Sequence, residues 1–328
     1  MSTQFKILVM SSNLILLEKL KQQLPQNCSL VRPSSSDEDE VLRLVDDVDV
    51  IVGVRVSSRM VAAARKLKMI QTVGTGVDGV DVEAATERGV TVCSSVGLNA
   101  VPVAEHAMAL MLALAKNITK YDKNLRSEGW LRLPATLLRT KTLGIIGLGN
   151  IGVEVAKRAI AFDMSVLAIK RQPSDELRLK LGIDFLGGQA DLSRILKESD
   201  FVLLSIVLTP ETKGMIGERE LRMMKRSAYL LNISRGEVID EKALVKVLNE
   251  GVISGAGLDV FKVEPINRDN PLLKMENVIL TPHVAGIVED EEMMKERAEF
   301  ISRKIMKIIN GQKPEKVVDP KLKYVIDE

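Results

Sequence analysis

Residues 143 to 161 place a glycine-rich turn between a short apolar run and a longer amphipathic stretch, reading LGII, GLGNIG and VEVAKRAIA. Gly147, Gly149 and Gly152 follow the G-x-G-x-x-G spacing, in which the glycines permit a tight turn, close approach of a pyrophosphate, and close helix packing. A helix that begins at such a turn offers its free N–H groups to phosphates. The stretch therefore indicates a dinucleotide site, the alternative being a tight turn that serves packing alone.

The rest of the chain alternates short apolar runs with amphipathic stretches, a pattern typical of parallel-sheet α/β architecture. The first hundred residues contain FKILVM, VDVIVGV, KMIQTVG and GVTVCS, and a second series begins at KTLGIIGLG. Helices are predicted over Pro102–Asn117 and over about Glu289–Asn310. Since 328 residues suffice for two domains, we predict an α/β fold with two doubly wound parallel-sheet domains. The pattern leaves open which domain the last helix joins.

Composition excludes several classes of function. Hydrophobic residues make up 46% of the chain and charged residues 27%, the balance of ordinary soluble globular proteins. A net charge of +2 gives no support for a nucleic-acid or anionic-membrane partner, and the N-terminal apolar run is too short for a signal or a membrane span. Cys28 and Cys93 form neither a disulfide framework nor a metal-binding spacing, so we expect no metal site and a reducing, cytoplasmic location.

A lysine and an arginine follow the next apolar run, MSVLAI, where NAD-binding proteins have an acid. That acid would accept hydrogen bonds from the ribose hydroxyls and repel a 2′-phosphate. Lys170, 18 residues after the third glycine, and Arg171 would instead attract the phosphate, which arginine can bind in a bidentate manner. Gln172 and Ser174 add neutral donors nearby. These residues favour NADP(H) over NAD(H), although a solvated basic turn has the same composition.

The chain contains two histidines, the residue type best suited to proton transfer near neutral pH. His106 lies within AEHAMALMLAL, where a helix-packing role is predicted. His283 lies in ILTPHVAG, directly after an apolar run, and ligands in doubly wound sheets bind beyond the carboxyl ends of strands. Arg235 and Glu264 also follow apolar runs, and Asp259 lies within one. We expect Arg235, Glu264 and His283 to converge at one edge of the sheet, although each alone fits a surface or capping role.

Seven segments, taken in order, resemble the D-isomer-specific 2-hydroxyacid dehydrogenase family: VGTGVDGVD, VGLNAVPVAEHA, GLGNIG, LTPETKGMIG, LNISRGEVIDEKAL, GLDVFKVEP and ILTPHVAG. The match is collinear and covers most of residues 70 to 286, whereas earlier residues match only in their strand–helix pattern. The resemblance implies a Rossmann dinucleotide-binding domain over residues 100–286 and a flavodoxin-like substrate-binding domain, with a cleft between them. It also implies that the last helix returns to the substrate domain, which is then discontinuous and comprises 1–99 and 287–328.

The resemblance further implies a role for each candidate side chain. Arg235 binds the substrate carboxylate and carbonyl. His283 donates a proton to the ketone oxygen in reduction and removes it in oxidation, while Glu264 hydrogen-bonds the imidazole, fixes its tautomer and favours its protonated form. Asp259 holds the nicotinamide carboxamide. The backbone N–H groups of the turn Val73–Gly76 meet the substrate carboxylate across the cleft.

Two sets of contact residues follow from the motifs and the resemblance together. The residues expected at the cofactor are Gly147, Leu148, Gly149, Asn150, Ile151, Gly152, Lys170, Arg171, Val207, Thr209, Ile233, Ser234, Arg235, Asp259, His283 and Gly286. The residues expected at the substrate are Val73, Gly74, Thr75, Gly76, Arg235 and His283.

The resemblance implies a homodimer through the cofactor domain, with the Pro102–Asn117 helix contributing. Trp130 either reaches that interface or is a buried packing residue.

The basic pair Lys170–Arg171 resembles that of glyoxylate and hydroxypyruvate reductases, so we expect a reductase of small 2-oxoacids that prefers NADP(H), with NAD(H) as a second cofactor. One alternative is an NAD-dependent enzyme like 3-phosphoglycerate dehydrogenase, in which Arg55 would reach a phosphate. The other is a corepressor-type binding protein that senses dinucleotides.

Overall fold

The computed structural model describes residues 4–35, 37–321 and 324–325. The chain divides into two compact units. The first unit takes the residues up to Asn99 together with those from Val288 onward, and the second takes Ala100–Ile287. Residues 1–3, 36, 322–323 and 326–328 of the predicted substrate domain lie outside the described part of the chain.

Strands and helices alternate through most of the chain. The strands are β1 (Phe5–Val9), β2 (Cys28–Val31), β3 (Val50–Val52), β4 (Met69–Gln71), β5 (Thr91–Cys93), β6 (Thr142–Ile146), β7 (Ser165–Ile169), β8 (Phe185–Gly187), β9 (Phe201–Leu204), β10 (Tyr229–Asn232), β11 (Gly255–Leu258), β12 (Val278–Leu280), β13 (Val318–Asp319) and β14 (Tyr324–Val325). The helices are α1 (Leu14–Gln23), α2 (Glu38–Leu42), α3 (Ser58–Ala63), α4 (Val82–Glu87), α5 (Ala100–Ala115), α6 (Ile118–Arg126), α7 (Asn150–Ala161), α8 (Asp175–Leu181), α9 (Leu192–Glu198), α10 (Glu218–Leu221), α11 (Glu241–Asn249) and α12 (Glu291–Ile309). Single 3₁₀ turns lie at Gln189–Asp191, Gly236–Val238 and Pro271–Lys274.

The first unit is built on a five-stranded parallel sheet in the order β2-β1-β3-β4-β5, which is a flavodoxin-like order. Its strands are apolar on both faces because helices cover both faces. Residues of α1 and α12 pack on one face, where Ile7 and Val52 are buried, and residues of α2, α3 and α4 pack on the other, where Leu8 and Ile51 are buried. In α12, Met294, Ala298, Ile301 and Ile305 recur at helical spacing and supply the apolar face. β13 and β14 form a separate antiparallel pair.

The second unit is built on a seven-stranded parallel sheet in the order β12-β11-β10-β9-β6-β7-β8. The strand order reverses beside β6, since β7 lies on one side of it and β9 on the other. This is the Rossmann order with β12 added at one edge, and ligands in such sheets bind at the reversal. Residues of α5 and α7 pack on one face, and residues of α9, α10 and α11 pack on the other.

The two parallel sheets confirm the predicted α/β fold class. The helix predicted over Pro102–Asn117 begins earlier, since α5 starts at Ala100, and Asn117 lies in a left-handed conformation between α5 and α6. The sequence-based prediction missed α6, which is largely polar and has no buried residue. Among the described residues, none of the helices is both long and apolar enough to cross a membrane.

Candidate active site

The glycine-rich turn has the geometry that its three glycines were predicted to allow. Gly147 has a φ of 102°, a conformation that side chains disfavour. A Cβ on Gly152 would collide with the carbonyl oxygen of Gly147, whereas a Cβ on Gly149 would meet open space. α7 begins directly after Gly149, and no side chain caps it among the described residues. The N–H groups of its first turn are therefore available to an anion.

The basic pair lies at the end of β7, the strand beside β6. The backbone N–H of Lys170 donates to the carbonyl of Gly187, and Arg171 is exposed. A hydrogen bond from Thr209 and the positive charge of Arg171 lower the pKa of Glu211. Arg171 therefore lies close enough to the loop that follows β9, on the other side of the strand reversal, for its charge to act on Glu211. Ser174 is the N-cap of α8, where its hydroxyl oxygen accepts from the N–H of Leu177 at 3.2 Å.

His283 and Glu264 form a hydrogen-bonded pair. His283 Nδ1 lies 2.7 Å from Glu264 Oε2, and the backbone N–H of Phe261 donates to the other carboxylate oxygen at 3.0 Å. A carboxylate that faces Nδ1 selects the tautomer protonated at Nδ1. Nε2 has no hydrogen-bond partner among the described residues, and the histidine side chain is 46% exposed. The arrangement therefore presents Nε2 to a ligand as a proton donor or acceptor.

The backbone of His283 is unusual as well. Its φ is 55°, in the left-handed region that residues other than glycine seldom adopt. The N–H of His283 donates to the carbonyl of Asp259 at 2.7 Å and to the carbonyl of Thr281 at 3.0 Å. Such conformations cost on the order of 1–3 kcal/mol and persist where the surroundings fix them.

Asp259 fixes the turn that carries His283. Its side chain is 1% exposed; Oδ1 accepts from Thr281 Oγ1 at 2.6 Å and from Val284 N at 2.9 Å, and Oδ2 accepts from Ala285 N at 3.0 Å. A carboxylate offers about four acceptor positions, so one remains beyond these three. The carboxylate predicted to bind a carboxamide thus also organises its own loop.

His106 does more than pack in its helix. Its Nε2 lies 2.9 Å from Thr281 Oγ1 and 3.5 Å from Asp259 Oδ1. Prediction of a packing role missed this hydrogen bond, because α5 meets the loop after β12 only in the folded chain. Thr281 was missed for the same reason. Both residues lie in segments that carry the family resemblance, VGLNAVPVAEHA and ILTPHVAG, but the resemblance was not taken to imply a role for either.

Arg235 follows β10, the strand beside β11. Asn232 holds this turn: its Nδ2 donates to the carbonyl of Arg235 at 2.9 Å, and its Oδ1 accepts from Ser234 N and Oγ. Arg235 Nη1 donates to the carbonyl of Ser234 at 2.7 Å. A Cβ on Gly236 would collide with the backbone of Phe261, so a glycine lets this turn lie against the segment after β11.

The three catalytic candidates follow three neighbouring strands. Arg235 comes after β10, Glu264 after β11 and His283 after β12, and these strands are adjacent in the sheet. The structure brings Glu264 and His283 into contact and places Arg235 at the same edge. Of the remaining cofactor candidates, Val207 is exposed, whereas the side chain of Ile233 is buried in the core and can offer only its backbone.

The turn Val73–Gly76 belongs to the first unit and follows β4. The carbonyls of Gly74 and Thr75 accept hydrogen bonds from Thr72, Ser94 and Ser95, but none of the four N–H groups of the turn donates one within the described residues. Thr75 Oγ1 lies 2.7 Å from Asn99 Oδ1. The turn therefore offers a group of backbone donors, as an anion-binding site requires.

Trp130 is 77% exposed, so the buried packing role considered for it is wrong. The Arg132 guanidinium lies 5.9 Å from the centre of the indole ring.

Across residues 4–35, 37–321 and 324–325, no group of three or more histidine, cysteine or acidic residues is placed to hold a metal ion.

Comparison with known proteins shows what the chain is similar to. The sequence model described as "D-isomer specific 2-hydroxyacid dehydrogenase, NAD binding domain" matches residues 108–285. A D-3-phosphoglycerate dehydrogenase of Methanocaldococcus jannaschii is 40% identical, with 86% of this chain and 54% of that protein covered. The chain therefore spans about half the length of that relative. A glyoxylate reductase of Korarchaeum cryptofilum is 38% identical, with 92% of this chain and 89% of that protein covered.

Among the similar solved structures is the NADPH-dependent glyoxylate/hydroxypyruvate reductase of Sinorhizobium meliloti in complex with NADP and malonate. The TM-score is 0.81 at 27% identity, and the alignment covers 99% of each chain.

Proposed function

Because the chain belongs to the D-isomer-specific 2-hydroxyacid dehydrogenase family, we propose that it transfers a hydride between a nicotinamide dinucleotide and a small 2-oxoacid or D-2-hydroxyacid. The hydrogen-bonded pair of His283 and Glu264 carries this proposal. It presents a polarised imidazole nitrogen at the carboxyl edge of a sheet whose strand order reverses beside a glycine-rich turn.

The residues after β6 and β7 fit a dinucleotide. Gly149 leaves open space where a side chain would obstruct a pyrophosphate, and the first turn of α7 offers N–H groups. The spare acceptor position of Asp259 suits a carboxamide N–H. When bound, the nicotinamide supplies the hydride that reduces the carbonyl carbon of the oxoacid.

The protein's own groups move the proton and orient the substrate. Protonated His283 donates from Nε2 to the ketone oxygen as that oxygen gains negative charge, and Glu264 holds the ring through Nδ1. In the reverse direction, neutral Nε2 accepts the hydroxyl proton. Arg235 binds the planar carboxylate with its guanidinium.

For the substrate, we favour small unphosphorylated 2-oxoacids such as glyoxylate and hydroxypyruvate. The glyoxylate reductase of Korarchaeum cryptofilum supports this choice, since the alignment covers most of both chains. A second candidate is a 3-phosphoglycerate dehydrogenase-like activity. It is supported by Arg55, which is exposed after β3 and makes no ion pair among the described residues, and by the Methanocaldococcus jannaschii relative.

Turnover with a panel of 2-oxoacids and both reduced cofactors tests the proposal. We expect the highest kcat/KM with NADPH and glyoxylate or hydroxypyruvate. A clear preference for 3-phosphohydroxypyruvate with NADH would instead support the second candidate. Absence of oxidation of either cofactor with every acid, in a protein that still binds a dinucleotide, would contradict the enzyme and favour the corepressor-type alternative.

For the cofactor, we propose a preference for NADP(H) set by Lys170 and Arg171. Hydrogen bonds to a charged group contribute about 1.5–3 kcal/mol, so Lys170→Ala with Arg171→Ala should raise the KM for NADPH by about 10- to 100-fold. The KM for NADH should change little. Removing two exposed lysines elsewhere in the unit, Lys180→Ala with Lys197→Ala, is the matched control. Equal losses for both cofactors would rule out recognition of the 2′-phosphate.

We also propose a homodimer formed through the second unit. α6 and the segment after it expose Ile118, Leu125, Trp130 and Leu137, a concentration of apolar side chains that marks an interaction surface. Light scattering should give twice the chain mass, and Trp130→Glu with Leu137→Glu should give a monomer. A wild-type monomer at micromolar concentration would refute the dimer.

We place the protein in the cytoplasm, in keeping with Cys28 and Cys93 as free thiols.

A further inference from the structure

We propose that His106 is a positioning residue for proton transfer, acting through Thr281 and Asp259 on the turn that carries His283. The inference rests on the proposed function, because it concerns the geometry of the same proton donor. His106 itself lies in α5, far along the sequence from the turn that it fastens.

The direction of the hydrogen bonds follows from a single hydroxyl proton. Thr281 Oγ1 lies 2.6 Å from Oδ1 of the buried Asp259, and a carboxylate can only accept, so the hydroxyl donates there. The contact of 2.9 Å between Thr281 Oγ1 and His106 Nε2 must then be donated by the imidazole. His106 is therefore protonated at Nε2, and the chain of donors runs from His106 to Thr281 to Asp259.

This chain of hydrogen bonds ends on both sides of His283. The Asp259 carboxylate accepts from the N–H groups of Val284 and Ala285, directly after the histidine. The Asp259 and Thr281 carbonyls accept from the N–H of His283 itself. The turn is thus fixed around a residue whose left-handed φ of 55° is unfavourable without such support.

Removing the imidazole donor would loosen this arrangement. Thr281 could then rotate its hydroxyl away from Asp259, and the carboxylate would lose a partner at a buried site. The expected consequence is a displaced His283, with slower proton transfer but little change in the groups that bind the phosphates of the cofactor. A small displacement of a catalytic group can cost a large factor in rate.

The experiment compares His106→Met with His106→Gln, whose side-chain nitrogen keeps a donor near the position of Nε2. We expect kcat to fall about tenfold in His106→Met, or ~1.4 kcal/mol in the barrier, and to recover to within about threefold of wild type in His106→Gln. The solvent deuterium isotope effect on kcat should rise only in His106→Met. Glu105→Gln, an exposed neighbour on the same helix, is the control.

A lower kcat in His106→Met without a higher isotope effect would indicate loss of folded protein alone, and it would overturn the inference. Equal kcat in the Met and Gln variants would overturn it as well. Should His106→Met not fold, Thr281→Ser and Thr281→Val give the same comparison of hydroxyl kept against hydroxyl removed, and equal rates there would also refute it. An inactive wild-type protein would contradict the proposed function instead.

Discussion

Lys304 offers the most quantitative test of the physical reasoning, because it buries a charge in the first unit. The side chain has 0% exposure, and Nζ donates to the carbonyl of Ser94 at 2.8 Å. Nζ also lies 4.2 Å from the ring centre of Phe300. Burial lowers the pKa of Lys304 from 10.5 to about 8. The perturbation is Lys304→Met, which keeps the length and apolar stem of the side chain and removes the ammonium group.

The magnitude follows from the two pKa values. Since the folded state holds the proton less tightly than the unfolded state, the charge costs about 3 kcal/mol at pH values below 8. Between pH 8 and 10.5 the unfolded chain binds more protons, so stability increases with pH there. The expected increase in the free energy of unfolding is about 1 kcal/mol between pH 8 and pH 9.

Cys93 sets the upper limit of the useful pH range. Burial raises the pKa of its thiol from 9 to about 11. The folded state therefore keeps this proton longer than the unfolded state, and stability decreases as pH rises from 9 towards 11. Lys304 and Cys93 act in opposite directions, and the thiol contributes less below its unfolded pKa of 9, so the effect of the lysine dominates between pH 8 and pH 9.

Lys304→Met should abolish the increase between pH 8 and pH 9. At pH 7 the variant no longer carries the buried charge, which costs about 3 kcal/mol. It also leaves the Ser94 carbonyl without its donor, at a cost of about 1–3 kcal/mol. Its stability at pH 7 should therefore lie within about 2 kcal/mol of wild type. The measurement is the free energy of unfolding from urea titrations at several pH values. Hydrogen–deuterium exchange in peptides of α12 reports the opening of the helix that carries Lys304. Lys295→Met, an exposed lysine on the same helix, is the control. A variant with the wild-type increase would refute the reasoning.

Two further predictions concern the catalytic candidates. His283→Gln should lower kcat by about 10²–10⁴-fold, because the general acid is lost, while the Kd for the cofactor measured by fluorescence stays within about twofold; an unchanged kcat would remove His283 from catalysis. Arg235→Ala should lower kcat/KM by about 10²-fold or more through loss of a charge-assisted, bidentate contact, and Arg235→Lys should recover only part of it. Steady-state kinetics that show equal kcat/KM in wild type and Arg235→Ala would exclude that role.

Prediction from sequence succeeded where a local pattern determines the structure. Apolar runs separated by amphipathic stretches predicted the two parallel sheets, and the spacing of Gly147, Gly149 and Gly152 predicted a turn whose second glycine is open and whose third is crowded. The position of His283 after an apolar run predicted its place at the edge of the sheet. Each of these inferences depends on a few consecutive residues.

Prediction failed where the structure depends on partners distant in sequence. His106 occupies an apolar helix, and only the folded chain brings Thr281 to its imidazole. Lys304 lies in a helix of mixed charge, where a lysine is expected in solvent, yet its ammonium group lies beneath the Ser94 carbonyl. α6 was missed because its nine residues carry only three apolar or aromatic side chains, Ile118, Tyr121 and Leu125, in a sequence that is polar on average.

The path of the chain through its two units has a consequence for synthesis on the ribosome. The second unit is continuous, so it can fold as soon as Ile287 has emerged. One face of the first sheet must wait, because α12 supplies residues such as Ile301 and Ile305 that cover it. That apolar face stays partly uncovered while the whole second unit is translated, which makes the nascent chain a candidate for chaperone binding. The unit that begins to form first is therefore the last to become native.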